Sequence, residues 1–205
     1  MLIQDFDKIY CINLPGRKDR RLLCEELFLK FNINVEFIDA IDGKTINHET
    51  GKITKEEAGC CLSHKKVLQL IISDNSIKKA LILEDDVEFH SDIEHLFQAW
   101  YPQVPSVWEL LYFGGSHRHN PKKRVHDNVH KLKKTYTTHC YAITRECALK
   151  FIEEIDSINI FLKPIDVHLA SYQSRHFCYG FMPHLAWQRA DYSDIRKNFV
   201  DYKIR

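Results

Sequence analysis

The run Ala80-Leu81-Ile82-Leu83 contains no polar residue and is followed at once by Glu84-Asp85-Asp86. Successive side chains on a strand point to opposite sides, so an unbroken apolar run predicts a strand that meets no water on either face. Such a strand needs helices above and below it, and that requirement is met by a mostly parallel central sheet with helices on both faces, an α/β fold. The three carboxylates then emerge at the strand's carboxyl edge, where sheets of this kind bind their ligands.

The rest of the chain alternates in the same way. Lys8 to Asn13 reads as a buried strand that runs into the breakers Leu14-Pro15-Gly16. From Asp19 to Phe31 the residues Leu22, Leu23, Leu27 and Phe28 recur at helical spacing, and Val35 to Ile38 returns to strand character. Thr54 with Glu57 three residues on is a capping-box signature, and Ala58, Leu62, Val67, Leu68 and Ile71 continue a helical stripe toward Ser73. Further strands are predicted at Trp108–Phe113, Tyr141–Ile143 and Phe177–Phe181, and helices over Glu146–Ile155 and from Pro164 through Tyr172, before a polar tail. With 205 residues, no internal repeat and no linker, a single domain over 1–205 is expected.

Charge and cysteine usage narrow the partners. Lys and Arg number 29 against 28 Asp and Glu, a formal charge of +1, so no global field recruits nucleic acid. The beginning, Met1 to Asp7, lacks a basic end followed by an apolar run, and no later stretch is long enough for a transmembrane segment. Seven Cys without a CxxC pair predict reduced thiols that pack as small hydrophobes, and hence a cytoplasmic location, with peripheral membrane association left open.

Three adjacent carboxylates repel one another, so their ionised forms call for a cation, basic partners or full solvation. On an extended segment Glu84 and Asp86 face one pocket and Asp85 faces elsewhere; hard oxygen ligands of this kind suit Mn²⁺ or Mg²⁺. The acidic run alone does not separate a sugar transferase from a phosphatase or nuclease, nor from a simple helix cap. Residues 116–134 carry seven Lys or Arg and four His against one acid. They read as a basic loop between two strand ends, either a solvated surface or a place that an anionic partner visits. His117-x-His119 and His126-x3-His130 lack a nearby Cys at ligand spacing, which disfavours zinc there.

Seven segments in order resemble glycosyltransferase family 25, the lipooligosaccharide and collagen galactosyltransferase family. They are Ile12 to Arg20, Phe37 to Gly43, Gly59 to His64, Leu83 to Val87, Thr138 to Ile143, Pro164 to Asp166, and Pro183 to Gln188 with Ser193-Asp194-Ile195. The resemblance implies a GT-A (Rossmann-like) fold and transfer of galactose or glucose from a UDP-hexose with inversion. The acceptor it implies is a glycan, a glycolipid such as lipooligosaccharide, or a hydroxylated protein. It places the metal on Glu84 and Asp86 and puts Asp85, Asn13, Arg17 and Arg20 on the donor side; His184, where the family motif does not demand histidine, is a candidate third ligand of the kind many GT-A enzymes use. Ser63 and His64 touch the donor or hold the acidic loop. Asp166 is the implied catalytic base, with Asp194 in reserve. A catalytically inactive nucleotide-sugar-binding relative and a metal-dependent phosphoesterase remain as alternatives; the family occurs in bacteria, animals and large viruses, and a beginning that does not read as a signal peptide disfavours an animal secretory location and leaves a bacterial or viral origin open.

Overall fold

In a computed structural model, which describes residues 5–47, 49, 51–117 and 123–201, the central feature is an eight-stranded sheet. The first half of the chain runs β1 (Lys8–Asn13), α1 (Lys18–Lys30), β2 (Glu36–Asp39), α2 (Lys55–Ser73), β3 (Lys79–Glu84), β4 (Val87–Phe89), α3 (Ile93–Trp100) and β5 (Leu110–Tyr112). The second half runs β6 (Ser116–His117), β7 (Lys123–His126), β8 (Val129–Lys131), β9 (Thr135–Tyr136), β10 (Cys140–Thr144), α4 (Arg145–Ile158), α5 (Ile165–Gln173), β11 (Cys178–Phe181), β12 (Ala186–Gln188), β13 (Asp191–Ser193) and β14 (Asn198–Val200). Across the sheet the order is β2-β1-β3-β10-β5-β11-β8-β7.

Most of these strands point the same way, as the alternation predicts, with β10 and β8 reversed. The reversal of β10 has a local cause. The His139 carbonyl accepts from the Glu84 amide at 3.0 Å, so the chain enters β10 at the edge where β3 leaves and must run back along it.

Alternation along each strand builds two cores. Tyr10, Ile12, Ala80, Ile82, Tyr141 and Ile143 face α2, α4 and α5, where they meet Val67, Leu68, Phe151 and Leu169. Ile9, Cys11, Leu81, Leu83, Cys140 and Ala142 face α1 and α3, where they meet Cys24, Phe28, Ile93 and Phe97. Ala80 to Leu83 are completely buried, and four such residues contribute burial on the order of 1.5–3 kcal/mol for each large side chain. The sheet is therefore covered on both faces, as expected from that run.

Three expectations shift. In α1 the buried residues are Arg20, Cys24 and Phe28, while Leu22 and Leu23 are 60% and 43% exposed. Phe28 and Leu27 of the predicted stripe do pack on the core, and the same helix face carries the Arg20 guanidinium to Asp85 while Leu22 and Leu23 point outward. The basic stretch 116–134 is not only loop: β8 pairs with β11, and Val129 and Leu132 are fully buried. His119 lies outside the described residues. Beyond β11 the polar tail also folds, with β12 paired to β4 and β13 to β14.

The capping box forms as expected. The Glu57 amide donates to Thr54 Oγ1 at 3.2 Å and the Thr54 amide donates to Glu57 Oε2 at 2.8 Å, worth about 1 kcal/mol. A Cβ on Gly59 would stand 2.5 Å from the Ile41 carbonyl oxygen, so only glycine lets residues 41–43 lie directly on α2. That contact fixes one wall of the cleft. Among the described residues no helix is long and apolar enough to cross a membrane.

Candidate functional site

A cleft of about 790 Å³ opens where β1 and β3 end, lined by α2, the acidic turn, residues 136–138, the start of α5 and the tail from Gln188 onward. Its size suits a ligand of nucleotide-sugar dimensions. The three acids after Leu83 all reach it, but each has a different environment.

Asp85 is fully engaged. Its Oδ2 accepts from Asn13 Nδ2 at 2.8 Å and from the Leu14 amide at 3.4 Å, and its Oδ1 accepts from Arg20 at 2.8 Å. Glu84 is held from the other side, with Oε1 accepting from Thr138 Oγ1 and lying 3.0 Å from His64 Nε2. Burial pushes Glu84 upward, but His64 and Thr138 overcome it and hold the carboxyl below its usual range.

Asp86 differs. Its Oδ2 accepts from Gln188 Nε2 at 3.2 Å and lies 3.5 Å from Arg20, whereas Oδ1 is buried and has no hydrogen-bond partner among the described residues. Burial first, then the charges of Glu84 and Asp85, push Asp86 up to about 7 against the opposing pull of Arg20. An orphaned buried carboxylate oxygen beside two further acids, with one guanidinium to balance them, is a donor set that fits a divalent cation.

Arg20 and Arg17 are clasped by the tail. Arg20 Nε donates to Asp191 at 2.9 Å and Nη2 to the Tyr192 carbonyl at 2.9 Å. Arg17 pairs with Asp19, with Asp191 at 3.1 Å and with Asp194, so Asp194 stands at the rim as an ion-pair partner. Across the mouth, Lys197 reaches Glu56 near the start of α2 at 2.9 Å. The hairpin of β13 and β14 thus spans the cleft from α1 to α2.

Asp166 stands at the first turn of α5, with Pro164 as the preceding cap position, and lines the same cleft. Its Oδ2 accepts from the Thr137 amide at 3.3 Å. Burial raises its pKa, against the backbone amides of Thr137 and Val167, and the nearby Glu84 charge adds to the rise. Thr137 itself has φ +69°, in the left-handed region that a β-branched residue rarely occupies, and its buried Oγ1 has no hydrogen-bond partner among the described residues. Strain of this kind, on the order of 1–3 kcal/mol, is maintained here beside Asp166 and Glu84.

Ser63 acts on the wall. Its Oγ donates to the Gly59 carbonyl at 2.7 Å and accepts from the Ile41 amide at 2.8 Å. His64 lies between Glu84 and Tyr141, whose hydroxyl is 3.0 Å from Nδ1. His184 is not brought to the cleft lining: its Nε2 faces Nε2 of His117 at 3.0 Å, and His117 Nδ1 lies 2.7 Å from Thr135 Oγ1.

The structure adds residues that sequence reasoning did not assign. Thr138 and Gln188 lie within segments that carry the family resemblance and could have been weighed there. Cys60 lies within another, and was read as packing. Asp191 and the φ of Thr137 have no sequence signal, because one depends on where the tail lands and the other on a backbone angle.

The family model described as Glycosyltransferase family 25 (LPS biosynthesis protein) matches residues 6–169. Procollagen galactosyltransferase 2 of Homo sapiens is 29% identical over 198 residues, 83% of this chain and 31% of its own length. Inactive glycosyltransferase 25 family member 3 of Mus musculus is 28% identical over 142 residues, 58% of this chain and 24% of its own length. The chain therefore spans less than a third of the length of these curated relatives. Among solved structures, A197 from STIV superposes with a TM-score of 0.51 at 13% identity, covering 94% of this chain and 92% of that one, a likeness of fold.

Proposed function

Because the chain belongs to glycosyltransferase family 25, we propose that residues 1–205 act as one catalytic domain that moves galactose or glucose from a UDP-hexose to a hydroxyl of a glycan, glycolipid or hydroxylated protein, with inversion. The observation that carries this reading is the pairing, in one cleft, of an under-partnered carboxylate at Asp86 with a second carboxylate of raised pKa at Asp166.

The residues suited to hold a divalent cation, Mn²⁺ or Mg²⁺, are Asp86 and Glu84. Such an ion, when bound, supplies Lewis-acid neutralisation of the departing diphosphate. The chain's own groups do the rest. Asp166 is positioned by the Thr137 and Val167 amides to accept the proton of the attacking hydroxyl, and its raised pKa makes it a stronger base than a solvated carboxylate. Asp85 takes no part in the chemistry on this reading; it locks Asn13 and Arg20 to the acidic turn. Arg17 and Arg20 supply cationic donors near the diphosphate, and the hairpin carboxylates of Asp191 and Asp194 orient them at the cleft. The tail over the cleft excludes water, which competes with the acceptor for the sugar.

The test uses purified protein with Mn²⁺ and UDP-galactose or UDP-glucose, following UDP release and the anomeric configuration of the product. Asp166→Asn is expected to lower kcat by about 10²- to 10⁴-fold, with little change in donor KM. Binding of UDP with no turnover of any UDP-hexose would identify an inactive relative instead. Hydrolysis of simple phosphate esters would identify a phosphoesterase.

A further inference from the structure

Cys60, His64 and Glu84 each offer one ligand atom, and the three atoms lie within 4.8 Å of one another. Ligands held about 2.0–2.3 Å from a tetrahedral zinc ion lie roughly 3.4–3.6 Å apart, so side-chain rotations that draw the set in by about 1 Å close it on one ion. The spacing has a simple origin. Cys60 and His64 are four residues apart on α2, on one face of the helix, and Glu84 is the last residue of the strand that face covers. From these residues we infer that the floor of the cleft holds a zinc site of thiolate, imidazole and carboxylate, with its fourth position open to the cleft.

The surroundings match such a site. A ligating histidine normally donates its other ring N–H to an oxygen that orients it, and here Tyr141 Oη stands 3.0 Å from His64 Nδ1 while Nε2 faces Glu84. Thr138 donates to Glu84 in the same way. Cys61, the adjacent thiol, is directed elsewhere, with its Sγ 3.6 Å from the Lys163 carbonyl oxygen. All three proposed ligands line the cleft, and three protein ligands with an exposed fourth position is the pattern of a zinc ion that can meet substrate or water. A thiolate selects zinc over Mg²⁺ or Mn²⁺, both of which prefer oxygen ligands. Binding ionises the Cys60 thiol, and its proton passes to solvent. Since Glu84 also belongs to the acidic turn, zinc and manganese compete for it.

Cobalt, a spectroscopic substitute for zinc, tests the site without nucleotide or turnover. The full chain, stripped of metal by chelator, is expected to develop a thiolate-to-cobalt charge-transfer band that saturates at one equivalent and disappears on adding zinc. Cys60→Ser and His64→Gln should lose the band, while Cys61→Ser should keep it. No band in the wild-type protein, or a band that survives Cys60→Ser, overturns the inference. A second measurement covers the case in which the variants fail to fold: in the wild-type protein zinc should protect Cys60 from alkylation, and equal labelling with and without zinc overturns the site. Because these readouts involve no sugar donor, their failure leaves the transferase proposal standing.

Discussion

Two carboxylates sit at opposite ends of the same sheet, and the protein treats them in opposite ways. Glu109, just before β5, accepts from the Phe177 amide at 2.9 Å, from Lys150 at 3.0 Å and from the Tyr172 hydroxyl at 3.3 Å, with His176 Nδ1 3.3 Å away. Burial pushes it up, but the Phe177 amide, Lys150 and His176 prevail and hold it below the usual range. Asp86, past the end of β3, has one oxygen with no hydrogen-bond partner among the described residues and is pushed up to about 7. A carboxylate supplied with donors on every side ties elements together; one left short of them within a cleft is set to meet something from outside.

The largest effect that could break this contrast is on catalysis. Asp86→Asn is expected to lower kcat by about 10²- to 10³-fold, read as UDP release with Mn²⁺. The same substitution should raise the melting temperature in metal-free buffer near about pH 8. The folded-state pKa of Asp86 lies above its unfolded value, so its ionisation opposes folding as pH rises from about 4 to about 7, and an amide removes that cost. An Asp86→Asn protein that is less stable than wild type under those conditions would mean that Asp86 is a structural group like Glu109.

Next in size is the reciprocal change. Glu109→Ala strands the Phe177 amide and the Lys150 and His176 groups, and should cost about 2–3 kcal/mol of stability in urea unfolding. Turnover per folded molecule should be unchanged. A large fall in kcat with normal stability would contradict the division of labour between the two ends.

How much of this contrast was legible beforehand follows from what periodicity can carry. The apolar run 80–83 fixed β3, its double burial and the emergence of the acids, because those depend only on local pattern. The reversed β10, the pairing of Arg20 with Asp85 and the folding of the tail over the cleft all depend on contacts between residues more than 50 positions apart, which no local window contains. At the site, the acidic turn and Asp166 could be singled out from the segments they occupy. Which of the three acids lacks a partner could not, since that is decided by where Asn13, Arg20, Thr138 and Gln188 arrive in space.

The smallest expected effect separates the two ends by pH. His117 and His184 face each other near the cleft, and burial, aided by the charges of His184 and His130, lowers His117 to about 4. For a base whose folded pKa lies below its unfolded one, the unfolded chain takes up the proton first. Stability from His117 is therefore complete above about pH 6.5 and is lost as pH falls toward about 4. Glu109, an acid with a depressed pKa, contributes above its unfolded value and is lost only as pH falls through its lower folded value. Asp86 has the opposite slope over much of the histidine window, so the wild-type profile alone mixes the two. The difference between proteins isolates them. His117→Phe, which cannot take a proton, should flatten the loss of urea stability between about pH 7 and about pH 5 by on the order of 1 kcal/mol relative to wild type. Asp86→Asn should steepen that loss, and Glu109→Ala should leave the slope in that window unchanged. If His117→Phe and wild type run parallel, His117 contributes nothing to acid sensitivity, and its burial beside His184 does not set the slope in that window.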